Sequence, residues 1–301
     1  MSAAAGTAPS GQPVPVQILG VVGAGQMGAG IAQVAASAGL TVFLNDREPR
    51  FIDKGMASIE KGLGRTVEKG LITREEQTQV IGRIRKAEGL QGLASCDLVV
   101  EAVSEDLDLK RSIFQELDRL CRPGVILASN TSSLPITRLG ASTRRPDRVI
   151  GMHFMNPVPV MKLVEIIPGQ ATSPATTAET RALAERFGKT PVVSQDLPGF
   201  ISNRILMPLI NEAIFALYEG VGTKEDIDAV MTLGMRHPMG PLALADFIGL
   251  DTCLAVMEVL HQGFGDPKYR PCPLLRRMVD AGYLGNKSGR GFYEHGPGVP
   301  R

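Results

Sequence analysis

Little in this chain points to a cross-linked or metal-built fold. Its 301 residues include four cysteines, Cys96, Cys121, Cys253 and Cys272, which lie far apart and form no CxxC pair. That spacing argues against a zinc ribbon or a disulfide frame and fits free thiols in a reducing compartment. No His, Asp or Glu cluster has metal-ligand spacing, so no metal is expected. No apolar run approaches the ~18–20 uncharged residues of a membrane span. The formal net charge is +1, with no basic tract interleaved with aromatics, so no nucleic acid partner is expected. An acidic ligand must then be captured locally, by a few cations or backbone amides. The opening MSAAAGTAPSGQPVPVQ carries no charged side chain, and it lacks both an Arg-rich amphipathic pattern and a signal-peptide core. The terminal GPGVPR is no SKL-type address, and a cytoplasmic location is expected.

What is present is an ordinary globular composition, 44% hydrophobic and 21% charged, on a chain long enough for two domains. Runs dense in Val, Ile and Leu occupy 16–22, 41–46, 97–103, 125–130 and 148–154. They lack strict alternation, as strands buried on both faces of a parallel sheet do. Helical patterns such as 28–39 and 105–121 separate them, which predicts a Rossmann-like doubly wound α/β domain. About fifty residues join Asp46 to the Asp97 strand. Helical periodicity from Met56 and a Thr-x-x-Glu start at Thr73–Glu76 predict a helical hairpin inserted there. After Pro198 and Gly199 every pattern is helical. The expected organisation is a disordered leader (1–16), a nucleotide-binding domain (17–197), a smaller all-helical domain (198–295) and a tail (296–301).

GAGQMG, Gly23 to Gly28, follows a strand and opens a helix, and Asp46 ends the next strand. A bare GxGxxG is a weak signal, but this frame, with an acid about 20 positions on, is a dinucleotide-binding fingerprint. Gly23 permits the tight turn, Gly25 lets backbone approach a pyrophosphate, and Gly28 lets helix and sheet pack closely. Asp46 would accept the adenosine ribose hydroxyls and repel a 2′-phosphate, favouring NAD, although Arg47 softens the preference.

Ligands of open α/β sheets bind beyond the carboxyl ends of the strands. Three successive predicted strands deliver polar groups there: Ser104 and Glu105, then Thr131, Ser132 and Ser133, then His153 followed by Asn156. An isolated histidine in an apolar run, as in GMHFMNPVPVMKLVE, is usually a satisfied core residue. At the cofactor rim, a proton-transferring histidine is the better reading.

GAGQMGAGIAQVAA, DLVVEAV, ASNTSSL, GMHFMNPVPVMKLVEI, PGFISNRI, HPMGPLALADFIGLD and KSGRGFY appear in order across residues 18 to 293. In these motifs the sequence closely resembles the L-3-hydroxyacyl-CoA dehydrogenases, above all their short-chain 3-hydroxybutyryl-CoA members. The resemblance implies reversible NAD-dependent oxidation of an (S)-3-hydroxyacyl-CoA to the 3-ketoacyl-CoA, with NAD as cofactor. It makes His153 the general acid/base, Glu165 the carboxylate that fixes its tautomer, Ser132 the serine that hydrogen-bonds the reacting oxygen, and Asn203 the asparagine that helps position substrate and histidine. It extends cofactor binding from Gly23, Gly25, Gly28 and Asp46 to Gln26, Met27, Glu105, Lys110 and Asn130. For Lys110 an exposed helical lysine is an equally good reading, and Ser133 and Thr131 read as turn formers. Lys69 and Arg65 fall where the family contacts coenzyme A, though a solvated helix face explains them almost as well. The resemblance also implies a homodimer through the helical domain, for which the apolar circumference of 203–220 is suited. Asp246 reads as a capping or pairing residue, and His237 and His261 as surface or helix-end residues. The end of the chain soon after GFYEH suggests a stand-alone dehydrogenase. Two alternatives remain: a dehydrogenase of a free hydroxy or sugar acid, and a non-catalytic dinucleotide-binding structural protein.

Overall fold

The computed structural model describes residues 16–296. The leader and tail expected at the chain ends therefore fall, but for Val16 and Gly296, outside the described residues. Two compact units are present. The first runs to Thr131 and resumes at Ile136–Gln195, and the second comprises Ser132–Pro135 and the chain from Asp196.

The first unit is built on eight strands: β1 (Ile18–Val22), β2 (Thr41–Asn45), β3 (Ile84–Lys86), β4 (Leu98–Glu101), β5 (Ile126–Ser129), β6 (Val149–Phe154), β7 (Leu163–Pro168) and β8 (Thr190–Val193). Their order in the sheet is β3-β2-β1-β4-β5-β6-β7-β8, and every neighbouring pair is parallel except antiparallel β6 and β7. This is the doubly wound architecture expected from the sequence, widened by strands that the apolar runs did not announce. β3 has only three residues, IRK, and β8 carries Pro191 and is largely exposed.

Helices α1 (Gln26–Ser37), α2 (Pro49–Glu68), α3 (Arg74–Gly82), α4 (Leu107–Leu120), α5 (Ile136–Gly140) and α6 (Pro174–Arg186) fill the connections. Leu19, Val21, Val100, Ile150, Met152 and Phe154 share one core with Ile31 and Ala35 of α1, Ile52 and Ile59 of α2, and Leu183 of α6. On the opposite face Ile136 of α5 lies against Gly151, where a β-carbon would come within 3.0 Å of it. Both faces are thus covered, which is why the strand sequences lack alternation. The insertion after β2 is the expected hairpin, α2 and α3. Thr73 and Glu76 form a reciprocal capping box at the start of α3. α2 starts at Pro49, a full two turns before the periodicity suggested.

The second unit is helical: α7 (Ser202–Tyr218), α8 (Lys224–Ala229), α9 (Pro241–Ile248), α10 (Leu250–Phe264) and α11 (Pro273–Asp280). Met207, Ile210, Ile214, Leu242, Cys253, Met257 and Leu275 form its core. Buried carboxylates tie its C-terminal segment down. Asp246 accepts the N–H groups of Phe292 and Tyr293 and lies 2.8 Å from His295 Nε2, the pairing role expected of it. No described helix is long and apolar enough to cross a membrane.

Candidate active site

The glycine turn joins β1 to α1. A β-carbon on Gly28 would lie 1.7 Å from the Gly23 carbonyl, and one on Gly23, whose φ is +99°, would lie 2.6 Å from Ala102 O. Neither position admits a larger residue without backbone movement. At Gly25 a β-carbon would meet nothing within 4 Å, and Gly25 caps α1 with no side-chain hydrogen bond. The first turn of α1 thus presents open backbone amides, the arrangement that receives a pyrophosphate. The Asp46 carboxylate braces the turn, accepting from Ala24 N at 2.7 Å and Arg47 N at 2.8 Å, with lone pairs left for ribose hydroxyls.

A cavity of about 900 Å³ opens beside this turn, lined by Gly23, Gly25, Gln26, Asp46, Ser104 and Leu109 among others. Its volume and its glycine floor fit the nucleotide half of NAD. The sequence reading missed its other wall. Phe51, Lys54, Gly55 and Ser58 all line the cavity from one face of α2, a signal available in their i, i+3, i+4, i+7 spacing. Gly55 allows this approach, because a β-carbon there would lie 2.7 Å from Ala24 O.

Met27 and Gly28 do not line the cavity among the described residues. Met27 packs on the sheet core, and Gly28 serves the close contact with Gly23. Gln26 donates to Asn156 Oδ1 at 3.0 Å. Asn130 uses its Oδ1 to accept Phe154 N at 2.9 Å, bridging the ends of β5 and β6.

His153 and Glu165 are directly opposite one another in the antiparallel β6–β7 pair. Cross-strand partners share a face, so twelve residues of chain separation become one contact. His153 Nδ1 lies 2.8 Å from Glu165 Oε2, with the two residues 6% and 1% exposed. An ionised carboxylate only accepts, so a neutral ring paired with one would carry its proton on Nδ1 and leave Nε2 as the acceptor. Lys189 is a further group that sequence reasoning missed. Its buried ammonium donates to Val158 O at 2.6 Å and Met161 O at 2.8 Å, pinning the connection between these two strands. Burial holds its pKa below the usual lysine value.

The reading of Lys110 as an exposed helical lysine is corrected by the structure. Its side chain is 1% exposed, and Nζ donates to Glu101 Oε1 at 2.6 Å and lies 3.4 Å from Glu105 Oε2. Glu101, at the end of β4, and Ser129, at the end of β5, belong to the same buried cluster and went unnoticed in the sequence. Glu105 Oε1 in turn accepts from Thr131 Oγ1 at 2.5 Å, so Thr131 does more than shape a turn.

In the second unit Asn203 Nδ2 donates to Ser132 O at 3.3 Å, bringing these two candidates together. Arg65 and Lys69 are exposed at the C-terminal end of α2 and are not among the residues lining the cavity. His261 lies in the last turn of α10, and His237 sits in the segment between the π-helical turn Val230–Gly234 and α9, its N–H donating to Met231 O. Among the described residues no group of three His, Cys, Asp or Glu side chains is placed to hold a metal ion.

Comparison with known proteins agrees with this geometry. Residues 18–197 match the NAD binding domain of 3-hydroxyacyl-CoA dehydrogenase, and residues 199–295 match that family's C-terminal domain. A probable 3-hydroxybutyryl-CoA dehydrogenase of Bacillus subtilis is 60% identical over 275 residues, 91% of this chain and 96% of that protein. The 3-hydroxybutyryl-CoA dehydrogenase of Bradyrhizobium diazoefficiens is 56% identical over 280 residues, 93% of this chain and 96% of its own. The crystal structure of (S)-3-hydroxybutyryl-CoA dehydrogenase from Ralstonia eutropha, 50% identical, aligns with a TM-score of 0.91 over 94% of this chain and 100% of that one. A dinucleotide turn and a buried histidine–carboxylate pair on one sheet, with both family domains in register along the sequence, settle the assignment: the chain belongs to the 3-hydroxyacyl-CoA dehydrogenase family and is an NAD-dependent oxidoreductase.

Proposed function

We propose that the protein catalyses the reversible oxidation of (S)-3-hydroxybutyryl-CoA to acetoacetyl-CoA, with His153 as general acid/base and Glu165 as the carboxylate that orients it. The observation that carries the proposal is the His153–Glu165 contact, buried on the same sheet whose glycine turn is built for a dinucleotide. NAD, when bound, supplies the hydride acceptor at its nicotinamide ring. His153 Nε2 takes the proton of the 3-hydroxyl, and Glu165 stabilises the imidazolium that results. In the reverse direction the same nitrogen returns the proton to the 3-keto oxygen. Histidine suits both directions because its pKa ordinarily lies near working pH.

Family resemblance supports Ser132 as the group that hydrogen-bonds the reacting oxygen, Asn203 as one that positions substrate and histidine, and Glu105 as a contact of the nicotinamide-side ribose. Such positioning matters because transfer requires reacting atoms about 3–3.5 Å apart. The short acyl chain is supported by the names of the similar proteins, and Arg65 and Lys69 offer exposed cations for coenzyme A phosphates. Rates with acetoacetyl-CoA, free acetoacetate and gulonate test the substrate class. Turnover of the CoA ester alone is expected, and activity confined to the free acids would refute it.

A homodimer through the helical unit is part of the same proposal. Val221, Val230, Leu233 and Met235 are all more than half exposed there, an apolar surface that a second copy would cover. Light scattering after gel filtration should give twice the chain mass, and a monomer would remove this element.

A further inference from the structure

A buried carboxylate at the end of β4 has no place in the chemistry described so far. Glu101 is fully buried, and its carboxylate accepts three hydrogen bonds of 2.6 Å, from Lys110 Nζ and Val103 N on Oε1 and from Ser129 Oγ on Oε2. Lys110 also donates to Val103 O at 3.2 Å and reaches Glu105. Ser129 Oγ accepts Thr131 N at 3.2 Å, and Thr131 donates to Glu105. The cluster therefore links the ends of β4 and β5 to the first turn of α4, the rim at which an open α/β sheet binds its ligand. Stability alone is a poor reason for it, since a buried ion pair repays its desolvation so incompletely that apolar replacements often match it.

We propose that Glu101 is a positioning residue that sets the charge under the nicotinamide end of the cofactor site and so its preference between the two redox forms. The oxidised ring is cationic and the reduced ring is neutral. With Glu101 present, the Lys110 charge is cancelled within the buried cluster, and the rim carries no excess positive charge against the oxidised ring. Without it, one more positive charge would stand beside Glu105 and disfavour the cationic ring relative to the neutral one. The carboxylate also holds Lys110 where it supports Glu105. This inference rests on the reading that Glu105 contacts the nicotinamide-side ribose.

The test is a set of fluorescence titrations giving Kd for NAD⁺ and for NADH in the wild type, Glu101→Gln, Lys110→Met, the double variant and Glu105→Gln. Glu101→Gln should raise the ratio Kd(NAD⁺)/Kd(NADH) about tenfold, the size of one unit charge acting through protein. Lys110→Met should lower the ratio by a similar factor, and the double variant should return it close to the wild-type value. A merely structural role would weaken both forms equally and leave the ratio unmoved. The opposite signs keep the proposal testable if one single variant fails to fold. An unmoved ratio in the folded Glu101 and Lys110 variants, with Glu105→Gln weakening cofactor binding, overturns the charge proposal alone. If Glu105→Gln also binds both forms normally, the placement of the ribose falls with it.

Discussion

A histidine that moves protons in both directions needs one ring nitrogen for the substrate and a fixed partner on the other. His153 has that partner in Glu165, at 2.8 Å across a strand pair. Removing the charge while keeping the shape should therefore damage chemistry more than binding. Glu165→Gln is expected to lower kcat about 10²–10⁴-fold, the range seen when a catalytic histidine loses its proton or its orienting acid, with the Kd for NADH nearly unchanged. Stopped-flow turnover beside a fluorescence titration checks this; a kcat within a factor of three of the wild type would contradict it. At this scale the sequence was informative about identities and poor about surroundings. His153 and Glu165 stood out because one ends a strand run and the other closes the return segment. Lys110 read equally well as a cofactor contact and as an exposed helical lysine, since nothing in its spacing announces that Glu101, nine positions earlier, turns into the same buried cluster. The direction of a side chain at a strand end depends on packing that a linear pattern does not carry.

At the scale of elements, α2 is the part that the periodicity described least well. The periodicity marked it as helical from Met56, but the helix begins at Pro49, and its first turns carry Phe51, Lys54 and Gly55 to the cavity wall. The first turns were obscured by REPR, a charged stretch that reads as loop beside a proline. A β-carbon on Gly55 would lie 2.7 Å from Ala24 O in the glycine turn, so Gly55→Ala should push the helix away from Ala24. Overpacking of this kind costs about 1–3 kcal/mol. The expected result is a lower melting temperature and a raised KM for NAD with kcat little changed; an unaltered KM would show that the contact is slack. The hairpin partner was easier to read. Thr73–Glu76 is a reciprocal cap, and Thr73→Ala should cost about 1 kcal/mol in a chemical denaturation curve, with no loss at all contradicting the cap. Short β3 and edge-placed β8 escaped notice for a common reason: neither is an apolar run long enough to be told from loop.

For the whole molecule, four free thiols leave stability to non-covalent packing and hydrogen bonding. Every cysteine is buried, and burial pushes the pKa of Cys96 and Cys253 up to about 12 and raises those of Cys121 and Cys272. Folded protein at pH 8 should thus give almost no rapid reaction with a thiol reagent, and four equivalents once denatured. Rapid labelling of a folded cysteine would contradict the packing described. Fold class, the glycine turn and the family were all legible across residues 18 to 293, because long motifs and strand–helix alternation survive in one dimension. The resemblance paired His153 with Glu165, but the cluster of Glu101, Lys110 and Ser129 was not legible, because its contacts are decided by sheet order. The central claim is that His153 moves the proton, and one measurement addresses it most directly: NADH oxidation with acetoacetyl-CoA by wild type and His153→Gln, with NADH affinity measured on the same preparations. A fall in turnover of about 10²–10⁴-fold at nearly constant NADH affinity is the predicted result. Near-normal turnover by the variant would contradict it.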